Sequence, residues 1–304
     1  MRPDTQDSTD SGLEHSFAAH FFVPVSLPLH VDFGAASHVG LVRSSNEDHF
    51  AVFRRIRTQE VLLTNLGQDQ TPSSENEAYG FVVADGMGGT AAGETASRVA
   101  IQKAFDLADQ ASSWVMRLRS LAGQQVQERI DAYVTEMDRT LHAMGEADSE
   151  LAGMGTTWTS IYVVGSNAIV VQIGDSRAYL LRKGTLKQIT HDQTVAQALI
   201  DSGVPPKDTT RVRHILTNCL GGSQKVVSPS IGHLALQDGD RLLLCTDGLT
   251  DEVTDSEMVD LVSRPSSPQA ACDALLQLAL DRGGKDNVTV IVAEFARARG
   301  TSPA

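Results

Sequence analysis

The chain is 304 residues long and carries 38 acidic against 25 basic residues, a net charge of -13 with no basic run, which argues against nucleic acid and anionic membrane as partners. No apolar run approaches the ~20 residues that span a bilayer, so a soluble protein is expected. Three cysteines, Cys219, Cys245 and Cys272, are odd in number and lack C-x-x-C spacing, which indicates neither a disulfide framework nor a zinc site and fits a cytoplasmic setting.

Strand signals run from Val31 to Glu294 without a Pro- or Ser-rich linker, the pattern of one large domain. Residues 1–16, with Asp4, Asp7, Asp10 and Glu14 among Ser and Thr, are too polar to bury a core and read as a disordered tail. Phe17 to Leu29 is apolar but interrupted by Pro24 and Pro28, which suits an added edge strand better than a signal segment. Two strand-like stretches follow, joined around Arg43, Glu47 and Asp48. Taken alone, these three residues read as a solvated salt-bridge turn. Arg54 to Ala78, with the polar tip GQDQTPSSENEA, predicts a long mobile hairpin loop.

The stretch FVVADGMGGTAAGE, Phe81 to Glu94, is the most informative in the chain. Phe81 to Ala84 has the composition of a buried strand, four glycines among the next nine residues stop it, and helical spacing begins at Ala91. Asp85 is therefore expected at a strand end, before a turn whose bare backbone a ligand can approach. Gly86-x-Gly88-x-x-Ala91 matches a dinucleotide fingerprint loosely, but a carboxylate before the first glycine repels a pyrophosphate and attracts a hard cation. Asp106 stands at the distance of the fingerprint's acid but inside a helix. Metal, dinucleotide and structural turn all stay open on this stretch alone.

Apolar positions Ala96, Val99, Ala100, Ala104 and Leu107, then Val115 to Leu141 interrupted by Gly123, predict two long helices. Gly155 to Gly165, Asn167 to Gly174 and Arg177 to Lys183 are β-rich runs split by short turns, which predicts an antiparallel meander with Asp175 at one tip as a turn aspartate. Asp192 to Ser202 reads as a helix, and Gly203 to Gly222 as a surface flap. Arg241 to Thr246 is an apolar strand ending in Asp247-Gly248, as Phe81 to Ala84 ends in Asp85-Gly86. After a helix over Ala270 to Leu280, Asp286 opens the last strand. If that strand runs antiparallel to Arg241 to Thr246, Asp286 and Asp247 emerge at one edge.

Acids gathered at the ends of separate strands repel one another unless cations lie between them, and all-oxygen ligands select magnesium, manganese or calcium. A shared carboxylate such as Asp85 can bridge two such ions. The ordered motifs R-S-S-N-E-D (Arg43 to Asp48), A-D-G-M-G-G (Ala84 to Gly89), M-G-T-T (Met154 to Thr157), G-D-S-R (Gly174 to Arg177), C-T-D-G-L (Cys245 to Leu249) and G-K-D-N (Gly284 to Asn287) resemble the bacterial form of the protein phosphatase 2C family.

The resemblance implies an α+β fold: a four-layer α-β-β-α sandwich, two mainly antiparallel sheets flanked by antiparallel helix pairs. The phosphatase domain would occupy 31–296, with an extension at 1–30 and a disordered tail at 297–304. It also implies roles. Asp85 would bridge two Mn2+ or Mg2+ ions, Asp247 and Asp286 complete one, and the Gly86 carbonyl serves the other with Glu47 and Asp48 alongside. Asp175 would share a third, weaker ion with Asp247, and Arg43 would hold the substrate phosphate.

The implied reaction is hydrolysis of phosphoserine and phosphothreonine by a metal-activated water, reversing a bacterial Ser/Thr kinase. The partners implied are phosphorylated proteins, that kinase among them. Two other readings remain, a catalytically silent phosphoprotein-binding regulator on the same fold and, more distantly, a dinucleotide oxidoreductase. Thr90 stands where the family usually carries a histidine, which leaves His49 and His191 as candidates for a general acid. The 54–78 insertion is longer and the flap shorter than usual, and the N-terminal extension lies outside the pattern.

Overall fold

A computed structural model of the chain describes residues 29–63, 74–115, 123–223, 226–264 and 267–297. The tail expected at 1–16 and the tip of the 54–78 insertion lie outside these residues, as do the edge strand expected over Phe17 to Leu29, except for Leu29, which opens the first strand, and the disordered tail expected at 297–304, except for Arg297, which instead ends the last strand.

Twelve strands form two sheets among the described residues, every pairing antiparallel. The first sheet runs β1 (Leu29–His38), β12 (Val288–Arg297), β11 (Asp240–Cys245), β7 (Arg177–Arg182), β8 (Thr185–Gln188). The second runs β10 (Ser230–Ala235), β6 (Asn167–Ile173), β5 (Trp158–Val164), β3 (Ser74–Met87), β4 (Gly155–Thr156), β9 (Leu220–Gly221), with β2 (Asp48–Gln59) also on β3. Two long helices, α1 (Thr90–Val115) and α2 (Gly123–Ala147), cover the second sheet. Downstream lie α3 (Val195–Asp201), the single turn α4 (Asp247–Thr250), α5 (Asp255–Ser263) and α6 (Pro268–Asp281). The last three pack on the first sheet.

Three apolar clusters fill the three interfaces of this four-layer sandwich. Along β3, Val82 and Ala84 face α1 and α2, while Phe81 and Val83 face the other sheet. Along β11, Leu242 and Leu244 meet them between the sheets, while Leu243 and Cys245 pack on Met258, Val262, Ala271 and Leu275 of α5 and α6. Strands covered on both faces have no polar side to present, which is why these segments read as continuous apolar runs. Phe81 and Phe295 close the middle layer edge to face, ring centroids 6.3 Å apart. Truncating either aromatic to alanine would cost about 3–5 kcal/mol.

Several local expectations are corrected. The 54–78 segment is largely strand: β2 and β3 pair from Asp48↔Asp85 to Gln59↔Ser74 in one long hairpin. Arg54 and Thr58, both exposed, suit its solvated arm. β3 does not stop at Ala84 but continues to Met87, leaving β5 to pair with β4. The predicted meander is only β5 and β6. The turn at Gly174 to Ser176 carries the chain to the other sheet, where β7 joins β11 and β8. Finally, α3 begins only at Val195, because the Thr194 hydroxyl accepts from Gln197 N and caps it there.

Candidate active site

Antiparallel pairing brings the acids to one end of the sandwich. Asp48 starts β2 and stands opposite Asp85 near the end of β3. Cys245 ends β11 opposite Val290, so Asp247, two residues on, and Asp286, two before β12, leave the first sheet at the same end. Asp175 joins them because its turn is the crossing between the sheets. Together with Arg43, Glu47, Gly86 and Asn287, the acids Asp85, Asp175, Asp247 and Asp286 line a cleft of about 660 Å³. A larger groove of about 820 Å³ opens between β8 and β10, but it is lined by Lys183, Lys187 and His191 and by no carboxylate. Chemistry rather than size singles out the smaller cleft.

Hydrogen bonds hold Asp85, Asp48 and the turns that carry Asp175 and Arg43. Asp85 donates its N–H to Thr157 Oγ1 (3.0 Å), and its carbonyl accepts from Thr157 N (2.9 Å) and Thr156 Oγ1 (2.9 Å). Thr157 also meets Ser176 Oγ at 2.7 Å, tying Asp85 to the Asp175 turn. Arg177, next in that turn, is clamped on Asp192 through Nε and Nη2, the shortest contact 2.6 Å. Asp48 Oδ2 accepts from Thr246 Oγ1 at 2.8 Å. Asn287 ties the Arg43 turn down at three points: its Nδ2 donates to the Val39 and Ser45 carbonyls (both 2.9 Å), and its Oδ1 accepts from Glu47 N (2.8 Å).

Two glycines are sterically required. A Cβ on Gly93 would lie 2.1 Å from Glu47 Oε2, and one on Gly86 would lie 2.1 Å from the Gly93 carbonyl. The turn after β3 thus lets helix α1, Glu47 and the Gly86 backbone approach one another.

The carboxylates perturb one another strongly. Burial, reinforced by Asp48, Asp247 and Asp175, pushes Asp85 well above the ordinary carboxylate range. Burial raises Asp48 to about 7 against hydrogen bonds from Thr289 and Thr246. Asp175 rises to about 8 through burial and Asp247, and Asp247 to about 6 through burial, Asp286 and Asp251. Glu47 is also raised by burial. Such a cluster is costly without positive charge in its midst.

Arg43 Nη2 donates to Asp286 Oδ2 at 2.6 Å, yet its side chain stays 53% exposed on the cleft rim. Asp286 and the acids Glu47 and Asp85 raise its pKa further.

The donor set suits a hard cation. It is all carboxylate and carbonyl oxygen, and Asp48 Oδ1 is buried with no hydrogen-bond partner. Among the described residues no three acidic, His or Cys side chains close on a point tightly enough to cage an ion themselves. An ion here would complete its shell with waters and a backbone carbonyl, as magnesium does in sites of this type.

The two histidines expected as acids are elsewhere. His49 Nδ1 lies 3.0 Å from Ser97 Oγ, and His191 pairs with Asp201 at 2.8 Å on the rim of the other groove. Neither lines the acidic cleft. Sequence reasoning passed over Asn287 and Thr157, although both sit inside quoted motifs, and it passed over His214, which lines the cleft and for which no local signal exists. All three cysteines are free and buried, with Cys245 raised to about 12 by burial, so none is a nucleophile.

The sequence profile described as protein phosphatase 2C matches residues 64–280. The serine/threonine protein phosphatase PstP of Mycobacterium tuberculosis is 36% identical over 265 residues, covering 86% of this chain but 44% of PstP, so the chain spans about half that relative's length. The serine/threonine phosphatase stp of Listeria welshimeri is 30% identical over 84% of this chain and 92% of its own. A crystal structure of the PstP catalytic domain in complex with two manganese ions superposes with a TM-score of 0.67 at 35% identity, covering 88% of this chain and 99% of that one. With the acids of two strand pairs converging beside an arginine in a four-layer sandwich, and with these relatives, the chain belongs to the protein phosphatase 2C family.

Proposed function

We propose that this chain is a metal-dependent serine/threonine protein phosphatase that hydrolyses phosphoserine and phosphothreonine on proteins. The observation that carries the reading is the convergence of Asp85, Asp175, Asp247 and Asp286 on one cleft beside Arg43, with the buried Asp48 paired opposite Asp85 behind it. Asp85, Asp247 and Asp286, with the Gly86 carbonyl and nearby Glu47 and Asp48, would hold two Mn2+ or Mg2+ ions, and Asp175 with Asp247 a third. When bound, such ions lower the pKa of a water towards neutrality and offset charge on the phosphoryl oxygens.

The chain's own groups supply positioning. Arg43 presents N–H donors at the rim, suited to a phosphate dianion. The three Asn287 bonds fix the turn that carries Arg43 and Glu47, and the Thr157 bonds fix Asp85, so these groups need little rearrangement on meeting substrate. Inhibition of turnover by loss of any one acid is the expectation. The complete acid set supports hydrolysis over a silent phosphoprotein-binding role, and nothing in the cleft favours a dinucleotide, since acids surround the glycine turn.

We further propose that the substrates include a bacterial Ser/Thr kinase, that the domain spans 31–296, and that the protein works in the cytoplasm, where three free thiols persist. No described helix is long and apolar enough to cross a membrane. The test is manganese-dependent phosphate release from a phosphothreonine peptide, with nicotinamide-cofactor binding measured alongside. A protein that binds the phosphopeptide but never releases phosphate, at any manganese or magnesium concentration, would make it the silent regulator.

A further inference from the structure

Expelling a serine or threonine oxygen from phosphorus generates an alkoxide, a far stronger base than water provides for, so hydrolysis of these esters gains from a proton donor at the departing oxygen. This chain has Thr90 after its glycine turn, and the structure keeps both His49 and His191 out of the cleft. Among the described residues lining the cleft, the one histidine is His214.

The turn that carries it is pinned on both sides. Arg213 donates to Asp251 Oδ2 at 2.8 Å, just after the helical turn begun by Asp247. Ile215 N bonds the Val212 carbonyl, the Ile215 carbonyl accepts from Val195 N at 2.8 Å, and Thr217 N bonds Gln193 O. The backbone at 213–217 is thereby fixed while the imidazole is exposed and has no hydrogen-bonding or ion-pair partner among the described residues. The carboxyls of the cleft wall are the groups proposed to hold the ions, and two other proton carriers beside His214, the Cys219 thiol and the Thr157 hydroxyl, are poorly suited. The Cys219 thiol is buried and pushed up to about 11, and the Thr157 hydroxyl is already engaged by Ser176 and Asp85.

We propose that His214, reaching into the cleft from the flap, protonates the departing serine or threonine oxygen. The inference rests on the phosphatase reading. In the step, a water oxygen that has given up a proton to solvent forms its bond to phosphorus as the bond to the side-chain oxygen breaks. The electron pair left on that oxygen takes the proton of the His214 imidazolium. The neutral imidazole then regains a proton from water, and the products are the free hydroxyl and inorganic phosphate. Imidazole suits this role because its ordinary pKa lies close to neutral. The charged groups that share the cleft with it are Arg43, Glu47, Asp85, Asp175, Asp247 and Asp286, and its own turn adds Arg211 and Arg213, the latter tied to Asp251.

The test compares leaving groups. On a phosphothreonine peptide with manganese, His214→Gln should lower kcat about 10²-fold, whereas on p-nitrophenyl phosphate, whose leaving group departs as a stable anion, the loss should be at least about tenfold smaller. A fall in peptide kcat towards alkaline pH is expected in the wild type and should be lost in the variant. Manganese stoichiometry and melting temperature should match the wild type, since the side chain is exposed. Equal losses on both substrates, or a change confined to KM, would overturn the assignment, and so would an undiminished kcat on the peptide. A wild-type protein inert towards both substrates would instead overturn the phosphatase reading, and this inference with it.

Discussion

Asp48 offers the sharpest test of why these acids are here. It is 4% exposed, one carboxylate oxygen is held by Thr246, and the other has no partner. Its pKa moves from an ordinary 3.8 to about 7, so burying it as an anion at neutral pH costs on the order of 4 kcal/mol at 1.4 kcal/mol per tenfold. Because the folded pKa is the higher one, the folded state binds more protons than the unfolded state between these values, and stability falls as pH rises from about 4 to about 7. Asp247, raised to about 6, and Asp175, raised to about 8, act in the same direction and extend the window to about pH 8.

In EDTA, the melting temperature of the wild type should therefore drop between pH 5 and pH 8. Asp48→Asn keeps the shape and removes the charge. Allowing for the easier ionisation of its neighbours, the gain should be about 2 kcal/mol at pH 8, or roughly 4–8 °C for a domain of this size. Saturating manganese should reverse the order, stabilising the wild type more than the variant. Differential scanning fluorimetry at both pH values, with EDTA and with manganese, makes the comparison. A chelated Asp48→Asn protein that melts at or below the wild type at pH 8 would refute the claim that uncompensated charge is what this cluster stores.

Three further outcomes are expected. Asp85→Asn, at the centre of the cluster, should lower manganese-dependent activity roughly hundredfold or more while leaving the far-UV spectrum unchanged; activity close to wild type at saturating manganese would remove Asp85 as a bridging ligand. Arg43→Ala should forfeit about 1.5–3 kcal/mol of binding to the phosphate, seen as a rise in KM for a phosphopeptide of roughly tenfold or more, and an unchanged KM would reduce Arg43 to an ion-pair partner of Asp286. Asp175→Ala should lower kcat while the other two ions stay bound, measured by metal stoichiometry, melting temperature and kcat on one preparation; an altered melting temperature with kcat preserved would make Asp175 a turn residue only.

Much of this molecule is legible in one dimension. The glycine turn after Phe81 to Ala84, the second Asp-Gly after Arg241 to Thr246 and the acid before the last strand are local signals, because a strand's end, a missing Cβ and a carboxylate are properties of a few consecutive residues. The two long helices are legible for the same reason, since their apolar spacing repeats within each segment. Which strand each run chooses as its neighbour is another matter. Asn167 to Gly174 and Arg177 to Lys183 have the composition of a hairpin, yet they belong to different sheets, because Leu180 and Ala178 gain more by packing between the sheets and beside β11 than by pairing with β6. That crossing is what carries Asp175 to the cleft. Nor could any local pattern place His214 there, or show that Asn287 grips the Arg43 turn from 240 or more residues away along the chain. Contacts of that range depend on how the two sheets face each other, a free energy summed over three buried layers, and no short window of residues contains it.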